Sequence, residues 1–212
     1  MTINDRSLSD YLSGARTAEA QRIALLSKQI VSDIVADDSA EGRIKQRVVM
    51  ATGNPAFADL LRFCNDPVSA GVRAIRAGRY VYTDIKMVSV GISNDIERFG
   101  GKVVCALPDK MSPVNNEQTR ASAGFLELGE RPSDAIVVVG NAPSAALTLA
   151  AMAREGTRPA LIVATPVGFV NAAESKAIIR ELDIPSITTV GTQGGTPVAV
   201  AITNELLALA HS

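Results

Sequence analysis

The chain has 212 residues, of which 47% are apolar and 20% are charged, and this composition predicts a folded domain with a buried core rather than a disordered chain. Its formal net charge of −1 provides no excess of lysine and arginine, so we expect neither nucleic acid nor an anionic membrane as a partner.

Cysteine and histidine usage argues against a metal site. Cys64 and Cys105 form no CxxC pattern and read as reduced thiols, and the only histidine, His211, lies beside the C-terminus. The first residues lack the basic and apolar segments of a signal peptide, and no run of about 18 apolar residues occurs. These features predict a cytoplasmic protein.

The first third of the chain has mainly the residue spacing of helices. Helices are predicted over 17–35, over 41–52, where a Gly-Asn-Pro turn follows, and over 66–77, with proline at the start. Residues 59–63 have the pattern of a short strand or a turn. One face of the first predicted helix carries Ile23, Leu26, Ile30 and Ile34.

From residue 80 onward, apolar strands alternate with helices. Strands are predicted over 80–83, 102–106, 135–139, 160–164 and 186–190, and helices over 84–92, 117–129, 143–155, 171–182 and 197–210. Several strands are apolar at consecutive positions, as expected when helices cover both faces of a parallel sheet.

This alternation predicts a three-layer α/β/α fold with a flavodoxin-like, mainly parallel sheet of five strands. We expect one domain over 1–212, with a mainly helical extension over 1–78 and the parallel-sheet core over 79–212.

Three strand-to-helix loops on the carboxyl edge of this sheet have unusual compositions. They are 140–144, 165–171 and 191–197, and each combines small residues with proline or asparagine. Either they are tight turns capped by Ser144 and Thr196, or they form one ligand site in which helix-start amides, as at Gly194 and Gly195, bind an anion.

Candidate acids, bases and anion ligands near this edge are few. The carboxylates are Asp84, Asp109 and Glu174, and helix capping explains Glu174 as well as catalysis does. Arg120 is either a clamp for an acidic ligand or an ordinary surface arginine.

Five segments of the chain match a known pattern in order and spacing. Residues 140–144 read GNAPS, and 166–176 read PVGFVNAAESK. These resemble the GNAPTAL and PVGFVGAAESK segments of the precorrin-8X methylmutase family. The flanking segments TDIKMV (83–88), QTRASA (118–123) and GTQGG (191–195) resemble the family's CDxxMVxxG, NTRSAAA and GRxGGS.

The resemblance implies an isomerase of cobalamin biosynthesis that acts on a tetrapyrrole, precorrin-8 or cobalt-precorrin-8. The family's reaction moves a methyl group from C11 to C12 and gives hydrogenobyrinate or cobyrinate, with no cofactor and with a histidine as the acid. It also implies a homodimer with sites near the subunit interface. The substrate-binding residues that it implies are Asp84, Thr119, Arg120, Asn141, Gly194 and Gly195.

The chain departs from the family pattern at the acid. The family segment RMVHACG corresponds here to RVVMATG (47–53), which places Met50 at the histidine position. A thioether donates no proton. A second departure is Thr192-Gln193, where the family often carries a basic residue.

Three hypotheses follow from these departures. In the first, binding supplies much of the rate, with Lys86 or Arg120 stabilising charge. In the second, the chain is a non-catalytic tetrapyrrole-binding homologue. In the third, which rests on fold analogy alone, a flavodoxin-like domain binds an unrelated small anion.

Overall fold

The computed structural model describes residues 17–107 and 118–211, with residues 93 and 94 described by their backbone alone. In chain order its helices and strands are α1 (Ala18–Ile34), α2 (Ala40–Thr52), α3 (Phe57–Leu60), β1 (Leu61–Cys64), α4 (Pro67–Arg76), β2 (Val81–Thr83), α5 (Lys86–Arg98), β3 (Val103–Cys105), α6 (Arg120–Leu128), β4 (Ile136–Val139), α7 (Pro143–Arg154), β5 (Leu161–Ala164), α8 (Ala172–Arg180), β6 (Ser186–Thr189) and α9 (Thr196–His211).

The strands form one sheet in the order β1-β6-β5-β4-β2-β3. All neighbours are parallel except β1, which runs antiparallel to β6. Without β1 the order is that of flavodoxin, and it confirms the predicted fold class. In this order the chain reverses direction across the sheet between β2 and β4. The carboxyl ends of these two strands therefore flank the crevice where such folds bind ligands.

The predicted number of strands was wrong by one. The segment predicted as either a strand or a turn is β1. It pairs with β6, with Leu61 opposite Thr189 and Cys64 opposite Ser186, and thereby extends the sheet to six strands. Four residues carry too little periodicity to distinguish the two forms, whereas the backbone groups of the edge strand β6 provide the pairing. The division of the domain at residue 78 stays a prediction, although β1 and α4 pack into the same core as the later elements.

Helices cover both faces of the sheet. Ile136 and Val138 of β4 pack with α2, α4, α5 and α9, and Val137 and Val139 of the same strand pack with α6, α7 and α8. The consecutive apolar residues of the strands are explained by this burial on both sides.

The structure lengthens one predicted helix. The pattern indicated a helix over 84–92, whereas α5 runs over Lys86–Arg98. Gly91 lies in its middle, where an added Cβ would come within 2.8 Å of the Val200 side chain, so the glycine serves close packing against α9 instead of ending the helix. The predicted start of α6 at residue 117 lies outside the described residues. The other boundaries agree within two residues.

α1 packs on the body through one face and exposes the other. Val31 is buried against Val49 of α2. An adjacent face carries the four apolar residues singled out by their spacing, and each is more than half exposed: Ile23, Leu26, Ile30 and Ile34. We call these four residues the α1 ridge.

Two further properties follow from the topology. Cys64 ends β1 and Cys105 ends β3, so the two free thiols lie at opposite edges of the sheet. In the described part of the chain, every helix is too short or too polar to cross a membrane.

Candidate functional site

Asp84 joins the end of β2 to the loop that follows β4. Its carboxylate accepts hydrogen bonds from the backbone N–H groups of Gly140 (2.9 Å), Asn141 (2.8 Å) and Ala142 (2.7 Å). Asp84 is only 2% exposed. Burial raises the pKa of this carboxyl above its ordinary value, and the three amide hydrogen bonds oppose the rise.

These contacts change the role expected of Asp84. Both carboxylate oxygens are engaged by the loop that contains Asn141, so the side chain positions this loop across the crevice between β2 and β4. The loop also lies close to the helices behind it. A Cβ added at Gly140 would come within 2.7 Å of the Val88 side chain and 3.1 Å of Ala199.

The loops after β5 and β6 are joined in a similar way. The Gly195 N–H donates to the Thr165 carbonyl (2.6 Å), and the Gly168 N–H donates to the Thr192 carbonyl (3.0 Å). At Gly194, an added Cβ would lie 2.2 Å from the Thr165 carbonyl oxygen, so only glycine allows this approach. Gly195 has φ +110°, which also favours glycine.

The hypothesis that helix-start amides bind an anion therefore needs correction at two loops. The amides of residues 140–142 are taken by Asp84, and that of Gly195 is taken by Thr165. The loops do meet at one edge of the sheet, but their backbone groups mainly bind one another. Ligand recognition at this edge must come largely from side chains.

Lys176 binds the β6–α9 loop from the interior of the protein, and its sequence context predicted no role for it. Its Nζ donates to the Gln193 carbonyl (2.7 Å) and to Thr189 Oγ1 (3.0 Å), and its side chain is fully buried. Burial, with a smaller contribution from the nearby Arg180 guanidinium, lowers the pKa of Lys176 to about 8. A lysine inside an otherwise apolar helix face was the signal available in the sequence.

The remaining predicted residues lie along the outer rim. Thr119 caps α6 by accepting from the Ser122 N–H (3.2 Å), and its hydroxyl is 2.7 Å from Ser144 Oγ on α7. Arg120 and Lys86 are the exposed first residues of α6 and α5, and the Asn141 residue is also exposed. Asp109 lies outside the described residues.

Met50 lies on α2 and is 40% exposed. Together with Arg47 and Ala51 it forms one wall of a groove whose other wall is the α9 segment from Pro197 to Asn204. Because α9 begins directly after Gly194 and Gly195, this groove connects the Met50 position with the carboxyl edge of the sheet. We call it the α2–α9 groove.

His211 is remote from this groove within its own chain. It ends α9, packs edge-on against the Phe99 ring at 4.3 Å, and contacts the Leu207 carbonyl through Nδ1 (2.8 Å). At about 1.5 Å per residue, it lies roughly 10 Å along the helix beyond Asn204, the nearest α9 residue of the groove. It cannot take the place of the histidine that Met50 replaces in the same chain.

Exposed apolar side chains flank the carboxyl edge. Phe169 is 96% exposed and Val170 is 76% exposed, both on the β5–α8 loop. A loop fixed at both ends that presents such residues provides an apolar contact surface for a ligand or a second chain. Among the described residues, no group of three His, Cys, Asp or Glu side chains is arranged to hold a metal ion.

Comparison with known proteins agrees with the motifs. A sequence profile of the precorrin-8X methylmutase family matches residues 21–209. The chain belongs to this family. The cobalt-precorrin-8 methylmutase of Methanocaldococcus jannaschii is 38% identical over 94% of this chain and 98% of its own length. That of Methanothermobacter thermautotrophicus is 36% identical over 93% of this chain and 97% of its own.

The solved structures give the same result. The precorrin-8X methylmutase of Thermus thermophilus superposes with a TM-score of 0.80 at 34% identity, covering 89% of this chain and 97% of that one. Membership of the family and the fold predicted from the motifs are thus confirmed.

Replacing Asp84 tests its role in the loop. In Asp84→Asn one of the carboxylate oxygens becomes an NH₂ group that faces an N–H donor, so we expect the free energy of unfolding to fall by about 2–3 kcal/mol. Urea denaturation measures this change. Asp183→Asn, at an exposed position, is the matched control, and equal stability of both variants would refute a structural role for the Asp84 carboxylate.

The buried ammonium of Lys176 predicts a pH-dependent stability. The unfolded chain holds this proton up to about pH 10.5, whereas the folded chain releases it near pH 8. The free energy of unfolding should therefore gain up to about 3 kcal/mol from this group as pH rises through that interval.

The change is measured as the difference between wild type and Lys176→Met in urea denaturation at pH 7.5 and at higher pH. Lys102→Met, at an exposed position, should leave the pH dependence as in wild type. A Lys176→Met profile parallel to that of wild type would contradict the lowered pKa.

Proposed function

We propose that this chain is an isomerase of cobalamin biosynthesis that moves a methyl group from C11 to C12 of precorrin-8 or its cobalt form. Family membership over residues 21–209 carries the proposal. Relatives of nearly the same length are named as methylmutases, which favours the enzyme over a non-catalytic binding protein.

The geometry of the carboxyl edge supports this function. Asp84 fixes the β4–α7 loop, and the Thr165–Gly195 hydrogen bond fixes the β5 and β6 loops relative to each other. A rearrangement within one molecule needs no second reactant, so a site can accelerate it by holding the reactive conformer between rigid elements. The tetrapyrrole would lie against this edge and extend along the α2–α9 groove past Met50.

Charge stabilisation has to replace part of what the missing histidine does. Lys86 and Arg120 are exposed first residues of two helices on the rim, where a ligand bound at the carboxyl edge would lie near them. A fixed cation next to developing negative charge lowers the barrier without proton transfer. Thr119, whose hydroxyl bridges to Ser144, and Asn141 are the polar groups that we expect beside the ring.

Turnover of the substrate tests the function directly. Purified protein mixed with precorrin-8 or cobalt-precorrin-8 should produce the absorption spectrum of hydrogenobyrinate or cobyrinate. Tight binding of the product without any conversion at high enzyme concentration would instead identify a non-catalytic homologue.

Restoring the histidine tests how the chain works without it. Met50→His should raise kcat by about 100-fold or more, because general acid catalysis contributes roughly 10²- to 10⁴-fold. It should also add a loss of rate above about pH 6.5, where the imidazolium deprotonates, that wild type lacks. Met50→Leu is the control for a change of shape alone. If the wild type already loses activity above about pH 6.5, another group acts as the acid.

We also propose that the protein forms a homodimer through the α1 ridge. Four apolar side chains at helical spacing are exposed along it, and burying them would remove unfavourable contact with water. Charge complementarity favours a second copy as the occupant. In an antiparallel pair centred on Leu26 and Ile30, the exposed Arg22 of each copy lies beside the exposed Asp33 of the other.

A charge exchange tests this dimer. Arg22→Asp and Asp33→Arg should each shift the protein toward monomer in sedimentation velocity, because each places like charges opposite one another. The double variant should recover the dimer, since the two-fold symmetry restores both pairs. Arg154→Asp, on α7, is the control. A monomeric wild type, or a dimer that both single variants leave intact, would exclude this interface.

A further inference from the structure

The backbone carbonyl of Gln193, in the β6–α9 loop, accepts two hydrogen bonds from inside the protein. Lys176 Nζ donates to it at 2.7 Å and Thr189 Oγ1 donates to it at 2.8 Å, and Nζ also donates to Thr189 Oγ1 at 3.0 Å. Both donors belong to fully buried residues. A carbonyl oxygen has two lone pairs, so both of its acceptor positions are occupied from the interior.

The orientation of this carbonyl also sets the direction of the next N–H group. In a trans peptide the C=O and N–H bonds point in opposite directions, and the Gln193–Gly194 bond is trans. The Gly194 N–H therefore points away from Lys176 and the interior, and Gly194 itself is only half-buried. Among the described residues this N–H has no acceptor, whereas the Gly195 N–H is taken by the Thr165 carbonyl.

A peptide bond that precedes glycine needs such a constraint. Glycine adopts positive and negative φ at similar cost, so the peptide plane before it can turn over and exchange the positions of its C=O and N–H groups. At Gln193–Gly194 this reversal would break both hydrogen bonds to the carbonyl and would turn the carbonyl oxygen toward the outside of the loop. Lys176 and Thr189 thus favour the orientation that presents the N–H.

We propose that Lys176 is a positioning residue that keeps the Gly194 N–H directed at the ligand, where this N–H donates a hydrogen bond to a carboxylate oxygen of the tetrapyrrole. The assignment rests on the proposed function. In the described part of the chain, the hydrogen-bond acceptors of Lys176 Nζ are uncharged oxygens. The ammonium therefore places positive charge behind the N–H, and an N–H polarised in this way binds an anion more strongly than a neutral acceptor.

Replacing Lys176 tests the effect on binding. Because side-arm carboxylates take no part in the methyl migration, the hydrogen bond stabilises substrate and transition state alike. Lys176→Met should therefore raise the KM for the substrate and the Kd for hydrogenobyrinate by about 10- to 100-fold, with kcat within about threefold of wild type. Lys102→Met, at an exposed position, is the control and should bind as wild type does.

The NMR signal of the Gly194 amide separates positioning from a merely structural role. In wild type, bound hydrogenobyrinate should move this amide proton downfield and slow its exchange with solvent. In Lys176→Met, saturated with ligand and shown by urea denaturation to be folded, it should do neither. A Gly194 signal that stays unchanged when wild type binds hydrogenobyrinate would overturn the proposal.

Thr189 provides a matched pair of variants. Thr189→Ser keeps the hydroxyl and should retain most of the affinity for hydrogenobyrinate. Thr189→Val removes one of the two hydrogen bonds to the Gln193 carbonyl and should raise the Kd by about three- to tenfold. Wild-type affinity in both Lys176→Met and Thr189→Val would overturn the positioning role, while the methylmutase function would stand.

A further measurement does not depend on the tetrapyrrole. Burial and the nearby Arg180 lower the pKa of Lys176, so the NMR signal of the Gln193 carbonyl carbon should titrate with a midpoint near pH 8 in the free protein. Lys176→Met should abolish this titration. Arg180 in turn interacts electrostatically with three further groups, which are Arg62, Cys64 and Glu181.

The outcomes of this titration distinguish the two proposals. A Gln193 signal that does not change with pH in wild type would overturn the role of Lys176 alone. A protein that shows the titration, yet neither binds nor converts the tetrapyrrole, would overturn the proposed function, while the hold of Lys176 on the loop would stand.

Discussion

The carboxylate of Asp84 is the constraint on which the rest of the site depends. Three consecutive amides converge on it from the loop after β4, and no neutral side chain accepts three hydrogen bonds from one side in this way. The contact links the end of β2 to the loop after β4, across the crevice between these two strands. It is buried and charged, so removing it leaves unpaired amides and not merely a weaker contact.

The other loops are also held by hydrogen bonds to their backbone groups. Thr165 and Gly195 link the loops after β5 and β6, and Lys176 holds the second of these from the interior. Backbone groups that bind one another give rigidity but leave few amides for a ligand. The specificity of the edge then depends on the side chains of its rim and of the α2–α9 groove. A rigid frame with replaceable rim residues accommodates the loss of an acid without loss of the fold.

Much of the fold was predictable from local pattern. The parallel strands, the helices between them and the three-layer arrangement followed from apolar runs and turn residues, and the GNAPS and PVGFVNAAESK segments identified the family. Three features were not: the short helix α3, the strand β1 and the full length of α5. β1 exists as a strand because β6 offers an unpaired edge, and Gly91 lies inside a helix because α9 comes close to it. Both depend on neighbours distant in sequence, which local periodicity does not contain.

For the site, the sequence by itself determined which residues come to the carboxyl edge and that Met50 stands where the family has its acid. Only the tertiary structure decided what their polar groups bind. Asp84 has a side chain suited to binding a ligand, but its carboxylate binds the backbone of a neighbouring loop. The four residues of the α1 ridge have the spacing of a buried helix face but are exposed to solvent. The reason is physical: spacing fixes direction along one helix or strand, whereas hydrogen-bond partners and burial are set by elements that the chain brings together only on folding.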